Sequence, residues 1–122
     1  MKNNCSDQPI QKYDIWLADL PSMPGSHVQS GMRPVVVVSN DTANRHSPLI
    51  SIIPLTSALK RADIPTHTVL HSRFLRYPSM ALCEQINTID KSRLVSRMGA
   101  VECLHERLAI RHCMQVQLGL VA

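Results

Sequence analysis

Short apolar segments along the chain predict a β protein. Six of them have the length and the β-branched or alternating pattern of strands, and they lie at 13–20, 35–38, 49–55, 66–70, 80–86 and 94–98. The run Val35-Val36-Val37-Val38 is typical of a strand buried on both faces. Pro54 predicts an irregular end to the third strand, because proline cannot donate to a ladder. About six strands at this spacing favour a sandwich or a barrel.

The end of the chain changes to helical periodicity. Residues 102–120 carry two apolar sides, one formed by Leu104, Leu108, Ile110, Met114, Leu118 and Val121 and one by Ala109, Cys113, Val116 and Leu120. Such a helix should contact its own barrel and one further surface, for which a second copy of the chain is the simplest candidate. We therefore predict a mainly β fold with one C-terminal helix, assembled as a homodimer. A short helical piece at 42–45 should follow the cap residues Asn40 and Asp41.

Length and polarity along the chain indicate a single domain. The 122 residues suffice for one core. Residues 1–12 are polar and have no hydrophobic period, so we expect a flexible tail there and one domain over 13–122. No apolar run reaches the roughly 18 residues of a membrane span, and the N-terminus lacks the apolar segment of a signal peptide. We expect a cytoplasmic protein with no membrane partner.

Charge and cysteines narrow the class of protein further. The net charge of +4, with a pI near 9.1, mildly favours a polyanionic partner. Most of the basic residues are arginines, whose planar fork suits phosphate. Cys5, Cys83, Cys103 and Cys113 have no CxxC spacing, and we interpret them as free thiols, with Cys5 exposed.

Common catalytic patterns are absent from the sequence. There is no nucleotide-binding glycine motif, no HExxH and no GxSxG, and no Ser, Cys or Thr has a base beside it in the chain. His67 and His71 lie four residues apart on a predicted strand, and His105 and His112 lie two turns apart on the helix. Both spacings are too wide for one ion. We expect solvated histidines, no metal and no cofactor.

Several short motifs occur in a specific order and spacing: 14–20 (DIWLADL), 31–41 (GMRPVVVVSND), 44–45 (NR), 54–56 (PLT), 65–67 (PTH) and 84–94 (EQINTIDKSRL). Together they resemble the MazF/PemK/Kid toxin family over residues 13–120. The resemblance implies an SH3-like barrel of the CcdB/PemK/MazF type with a C-terminal helix, paired as a two-fold dimer. It also implies metal-independent, sequence-specific cleavage of single-stranded RNA by the RNA's own 2'-hydroxyl, which leaves 2',3'-cyclic phosphate and 5'-hydroxyl ends. A cognate acidic antitoxin is the expected second partner.

Two residues carry the catalytic roles that the resemblance implies. Arg33 matches the family's catalytic arginine, and its guanidinium can stabilise the charge of a phosphorane. Thr56 matches the catalytic threonine and can donate its hydroxyl to a nonbridging oxygen. The alternatives are a surface salt bridge for Arg33 and a turn-capping hydroxyl for Thr56.

The predicted RNA-binding residues are Gln29, Ser57, Glu84, Gln85 and His27. Glu84 and Gln85 match a family pair that contacts bases or orients the catalytic arginine; Glu84 could instead be a general base, and both could be a plain polar strand end. The 25–31 loop reads as one residue longer than usual, with His27 and Val28 where many relatives have an acidic residue. Leu82 stands where some branches have a second catalytic arginine, and His27 is either an acid or a plain loop histidine.

Two other functions fit the same fold class. A toxin similar to CcdB would poison DNA gyrase by binding alone, but it would not need the Arg33 and Thr56 pair. An SH3-type module that binds proline-rich peptides would need an aromatic groove. Aromatic residues make up only 3% of the chain, which disfavours that module.

Overall fold

A computed structural model describes residues 9–121 and has a mainly antiparallel β fold. In chain order its elements are β1 (Asp14–Leu20), β2 (Gly31–Val37), α1 (Asp41–His46), β3 (Leu49–Thr56), β4 (His67–Leu70), β5 (Ser79–Leu82), β6 (Asn87–Asp90), β7 (Leu94–Ala100) and α2 (Leu104–Gln117). The seven strands form one sheet in the order β4-β5-β3-β2-β1-β7, with β6 also paired to β3. Short 3-10 turns cover Cys83–Gln85 and Lys91–Arg93.

The predicted strand at 80–86 is wrong beyond Leu82, and β6 is an additional strand. Both differences follow from the pairing of β3. Ala81 pairs with Leu55 and Asn87 pairs with Ile52, so six residues of one chain segment advance only three residues along β3. The surplus residues leave the ladder and form the 3-10 turn Cys83–Gln85.

Pro54 lies at an irregularity near the end of β3, as predicted, and the strand continues to Thr56. On one edge of β3 the ladder with β2 ends at the pair Val35 and Pro54. On the opposite edge the ladder with β6 ends at Ile52 and the ladder with β5 begins at Leu55. A proline at the last pair of a ladder costs the sheet little.

Two clusters of buried side chains lie on opposite faces of the strands. The alternation of β2 divides its valines between them, as a doubly buried strand requires. Val35 and Val37 belong to the inner cluster with Trp16, Ile50 and Ile52, among others. Val36 belongs to the outer cluster, which packs against α2 and includes Ile15, Ile53, Leu55, Ile110 and Cys113. The prediction of a buried valine strand is thus confirmed.

Helix α2 runs from Leu104 to Gln117 and is shorter at both ends than the predicted 102–120. Its buried residues are Ile110 and Cys113, which face the outer cluster. Leu104, Leu108 and Leu118 are 67%, 49% and 55% exposed. The barrel therefore covers the helix around Ile110 and Cys113, one residue from each predicted apolar side, and leaves the three leucines open.

The folded chain begins before Tyr13. Ile10 is buried in the inner cluster, and the Gln11 and Lys12 amides donate to the carboxylates of Asp14 and Asp41. Residues 1–8 of the predicted tail, including Cys5, lie outside the described residues. Among residues 9–121 no helix is long and apolar enough to cross a membrane. Asn40 caps α1 as expected, since its side chain accepts the Ala43 amide at 2.8 Å.

Candidate active site

Arg33 and Thr56 lie on adjacent strands. Arg33 is near the start of β2, and Thr56 is the last residue of β3. The ladder of β2 with β3 ends at the pair Val35 and Pro54, two residues short of Arg33 on β2 and of Thr56 on β3. Because side chains alternate along strands, both residues lie on the face of the inner cluster, beyond its edge. The two predicted catalytic residues therefore lie on the same face at the same end of this strand pair.

The half-buried guanidinium of Arg33 is held on its inner side. Its Nε donates to the Ser30 carbonyl at 2.9 Å, across the turn that leads into β2. Gly31 makes this turn possible, because its φ of 81° is unfavourable for residues with a side chain. Among residues 9–121 no carboxylate forms an ion pair with Arg33, which disfavours the surface salt bridge.

The Thr56 hydroxyl has a structural contact that leaves its proton free to be donated. Its Oγ accepts the Ala58 amide at 3.1 Å, so it caps the turn after β3, as the alternative reading proposed. A hydroxyl that accepts one hydrogen bond can still donate another. The capping contact therefore fixes the oxygen and is compatible with a catalytic role.

Gln29 and Gln85 meet although they are 56 residues apart. The Gln85 Oε1 accepts the Gln29 amide at 2.8 Å and joins the 3-10 turn to the loop before β2. This contact extends the candidate site from the two strand ends to the Cys83–Gln85 turn.

Glu84, the neighbour of Gln85, points its carboxylate to β4. Its oxygens accept from the Thr66 hydroxyl at 3.3 Å and face the His67 Nε2 at 2.8 Å. No hydrogen bond joins Glu84 to Arg33 within the part of the chain that the structure describes. A direct orienting contact from Glu84 to Arg33 is therefore not present. Glu84 and Gln85 both lie on the 3-10 turn, so the alternative that they form a plain polar strand end is wrong as well.

His67 was missed by the sequence analysis, which predicted a solvated histidine. Its side chain is only 7% exposed. The Nδ1 atom lies 2.8 Å from the Arg61 carbonyl, and Nε2 bonds Glu84. The Pro65-Thr66-His67 motif was the one available signal, since the partner of His67 is 17 residues away in the chain. His71, His105 and His112 are exposed, as predicted.

The other predicted RNA-binding residues lie around this centre. Ser57 is exposed and directly follows Thr56, and His27 is exposed in the loop before β2. Ser26 stiffens this loop by accepting the Val28 amide at 3.1 Å. The structure brings Gln29 and Gln85 into contact and leaves His27 and Ser57 at the surface.

The thiols near the site are poor nucleophiles. Burial raises the pKa of Cys83, and the neighbouring Cys113 thiol raises it further. Burial also raises the pKa of Cys113. Both are free, as is the exposed Cys103. Over residues 9–121, His, Cys, Asp and Glu do not gather in groups of three that could hold a metal ion.

Comparison with known proteins decides the family. Residues 11–110 match the model of the PemK-like, MazF-like toxins of type II toxin-antitoxin systems. Over 113 residues the chain is 34% identical to the Endoribonuclease MazF of Staphylococcus epidermidis, covering 91% of this chain and 92% of that protein. The chain belongs to this toxin family. The predicted family and the toxin class are confirmed, and the gyrase-poisoning alternative is not favoured.

Solved structures of this toxin family confirm the fold class. A mycobacterial endoribonuclease in complex with its cognate antitoxin is similar with a TM-score of 0.76 at 24% identity, covering 93% of this chain and 98% of that one. MazF from Deinococcus radiodurans gives a TM-score of 0.75 at 24% identity, with 91% and 96% covered. At this identity the two structures support the fold alone.

Proposed function

We propose that this family member is a toxin endoribonuclease that cleaves single-stranded RNA in the cytosol, with Arg33 and Thr56 as its catalytic residues. The observation that supports the proposal is the end of the β2–β3 ladder at Val35 and Pro54, because the next residues on the same face beyond it are Arg33 on β2 and Thr56 on β3. The name of the staphylococcal relative supports RNA as the substrate. A basic chain suits a polyanion of this kind.

The two side chains meet the needs of an attack by the RNA's own 2'-hydroxyl. That attack places negative charge on the phosphorane oxygens, and it gives a 2',3'-cyclic phosphate when the 5'-oxygen leaves. The Nη groups of Arg33 can bond two of these oxygens at once, while the Ser30 carbonyl holds Nε. Thr56 can donate to a nonbridging oxygen while the Ala58 amide holds its Oγ. Both groups are preorganised for the transition state.

Arg33 supplies the positive charge that a metal ion supplies in other nucleases, so we propose that cleavage needs no metal. The nucleophile belongs to the substrate, which agrees with the raised pKa of Cys83 and Cys113. A general-base role is the weaker of the alternatives for Glu84, because its carboxylate is already bonded to Thr66 and His67.

The remaining predicted residues are proposed to contact bases. Gln85 uses only its Oε1 on the Gln29 amide, so its amide nitrogen can still read a base edge. His27 and Ser57 flank the same end of the barrel and are exposed. The sequence motif that is cut depends on these groups.

A test of the mechanism is the variant Arg33→Ala. Cleavage should slow by about 10² to 10³, the scale observed when one preorganised donor is lost. Arg33→Lys should recover little, because an ammonium cannot form two parallel hydrogen bonds to one phosphoryl group. Thr56→Ala should also slow cleavage, and the double variant should lose less than the sum of the two effects. The measurement is the single-turnover rate on a long RNA, with and without EDTA.

Stability provides the control for this test. Arg33 is half-buried at a strand start, so the free energy of unfolding of Arg33→Ala should lie within about 0.5 kcal/mol of the parent value, as for a typical surface change. A folded Arg33→Ala protein that cuts RNA at the parent rate would remove the proposed mechanism. Loss of activity in EDTA would contradict metal independence.

A homodimer is proposed from the open side of α2. Leu104, Leu108 and Leu118 expose about half or more of their surface on a helix that the barrel covers on the other side only. Sedimentation at increasing concentration should give a dimer of two 13.6 kDa chains. A monomer that persists at high concentration would contradict the dimer.

An acidic antitoxin segment is the proposed inhibitor. The antitoxin complex of the mycobacterial neighbour motivates this proposal. Carboxylates can occupy the phosphate position at Arg33, and a disordered segment would order as it binds. The antitoxin and an uncleavable RNA should therefore compete, so that each raises the apparent dissociation constant of the other. Simultaneous binding with unchanged affinities would exclude a shared groove.

A further inference from the structure

The His67 ring is held by a hydrogen bond at each of its two nitrogens. Nδ1 faces the Arg61 carbonyl, which can only accept, so Nδ1 donates. Nε2 forms a hydrogen bond with the Glu84 carboxylate at 2.8 Å. The Cys113 thiol of α2 meets only the backbone of His67, since it donates to the His67 carbonyl at 3.7 Å. The two ring nitrogens thus bond the Glu84 carboxylate and the Arg61 carbonyl.

Glu84 connects this buried ring to the candidate active site. It lies in the Cys83–Gln85 turn, which the β3 pairing has pushed out of the ladder and which therefore lacks strand partners of its own. Two sets of contacts anchor the turn. Cys83 is buried in the outer cluster and its amide donates to the Thr66 carbonyl at 3.0 Å, while the Glu84 carboxylate bonds His67 and Thr66. The next residue, Gln85, holds the Gln29 amide at 2.8 Å.

The loop then carries the connection to the arginine. Gln29 is followed by Ser30, whose carbonyl accepts the Arg33 Nε at 2.9 Å. If the hydrogen bond between Gln29 and Gln85 breaks, the loop can move together with Ser30. Arg33 then loses the hydrogen bond from its Nε to the Ser30 carbonyl. We propose that His67 is a positioning residue, which through Glu84 and Gln85 holds the loop at Gln29 and so orients the Arg33 guanidinium.

The inference rests on the proposed function only for its effect on cleavage. The pose of the loop is a property of the free protein and can be measured without RNA. Amide hydrogen exchange reports such local opening residue by residue. The Gln29 amide is the direct readout, because its hydrogen bond to Gln85 closes the chain of contacts. The Val36 amide in the middle of β2 reports global unfolding.

The test compares His67→Phe, which keeps a ring and removes both ring nitrogens, with His71→Phe, the same change at an exposed histidine just after β4. In His67→Phe the Gln29 amide should exchange about three- to tenfold faster, the scale of one net hydrogen bond, while the Val36 amide exchanges as in the parent. His67→Gln, whose amide can still donate to Glu84, should recover part of the protection. His71→Phe should change neither amide.

Coupling and kinetics distinguish positioning from a general structural role. Adding His67→Phe to Gln85→Ala should not speed Gln29 exchange further, because both changes break the same chain of contacts. For RNA cleavage by His67→Phe, kcat should fall by a larger factor than KM rises, since the guanidinium acts on the transition state. His67→Gln should lie between this variant and the parent.

Parental Gln29 exchange in a folded His67→Phe protein would overturn the inference, and so would fully additive effects of the two changes. If His67→Phe also accelerates the Val36 amide, His67→Gln decides: faster exchange at Gln29 alone supports the role, and equal acceleration at both amides refutes it. A parent protein that does not cut RNA would remove the proposed function, whereas the Gln29 exchange would still decide the role of His67.

Discussion

Strand β3 determines the geometry of the site, because it pairs with β2 on one side and with β5 and β6 on the other. Its ladder with β2 ends two residues short of Arg33 and of Thr56, so both lie at one end of this strand pair. Its two ladders on the other edge leave surplus residues between them, which become the turn that carries Glu84 and Gln85. A slip of one residue would turn the fully buried side chains of this strand to the opposite face. The burial of the core thereby fixes the separation of the groups proposed to act on RNA.

The proposed catalytic groups share one design. Arg33 is held from the inside through Nε, and Thr56 is held through a lone pair of its hydroxyl. Each keeps its other hydrogen-bonding capacity for a substrate. Groups that are fixed before the substrate arrives need no reorganisation when charge develops in the transition state. His67 and Glu84 extend the same arrangement outward, by a hydrogen bond between a nearly inaccessible ring and an exposed carboxylate that supports the turn beside the loop.

The sequence predicted the elements that form from a local pattern of apolar residues. The valine run of β2, the amphipathic helix and the strand ends that hold Arg33 and Thr56 belong to this group. The Cys83–Gln85 turn could not be predicted, because its surplus residues are defined only by the pairing of β3. The contact between Gln29 and Gln85 spans 56 residues and depends on the same pairing. Ile10 illustrates a further limit, since one apolar residue in a polar segment has no period to reveal it.

The sequence also could not predict which histidine is buried near the site. His67 and His71 look alike in the sequence, yet one has a nearly inaccessible side chain and the other is exposed. Only the ladder of β4 with β5, which pairs His67 with Leu82, brings its ring close to the turn that contains Glu84. The sequence therefore suggested the residues that are proposed to react, but not the His67 contact that supports the turn beside them.

The chemistry of the cut RNA ends tests the central claim most directly. A long single-stranded RNA incubated with the purified protein in EDTA should give fragments with 2',3'-cyclic phosphate and 5'-hydroxyl ends. The new 5' ends should accept label from polynucleotide kinase without prior phosphatase treatment, and the mass of the upstream fragments should show the cyclic phosphate. Fragments with 5'-phosphate ends would show attack by water, and cleavage only after a divalent metal is added would show that Arg33 does not replace a metal ion. Either result would contradict a mechanism built on Arg33 and Thr56.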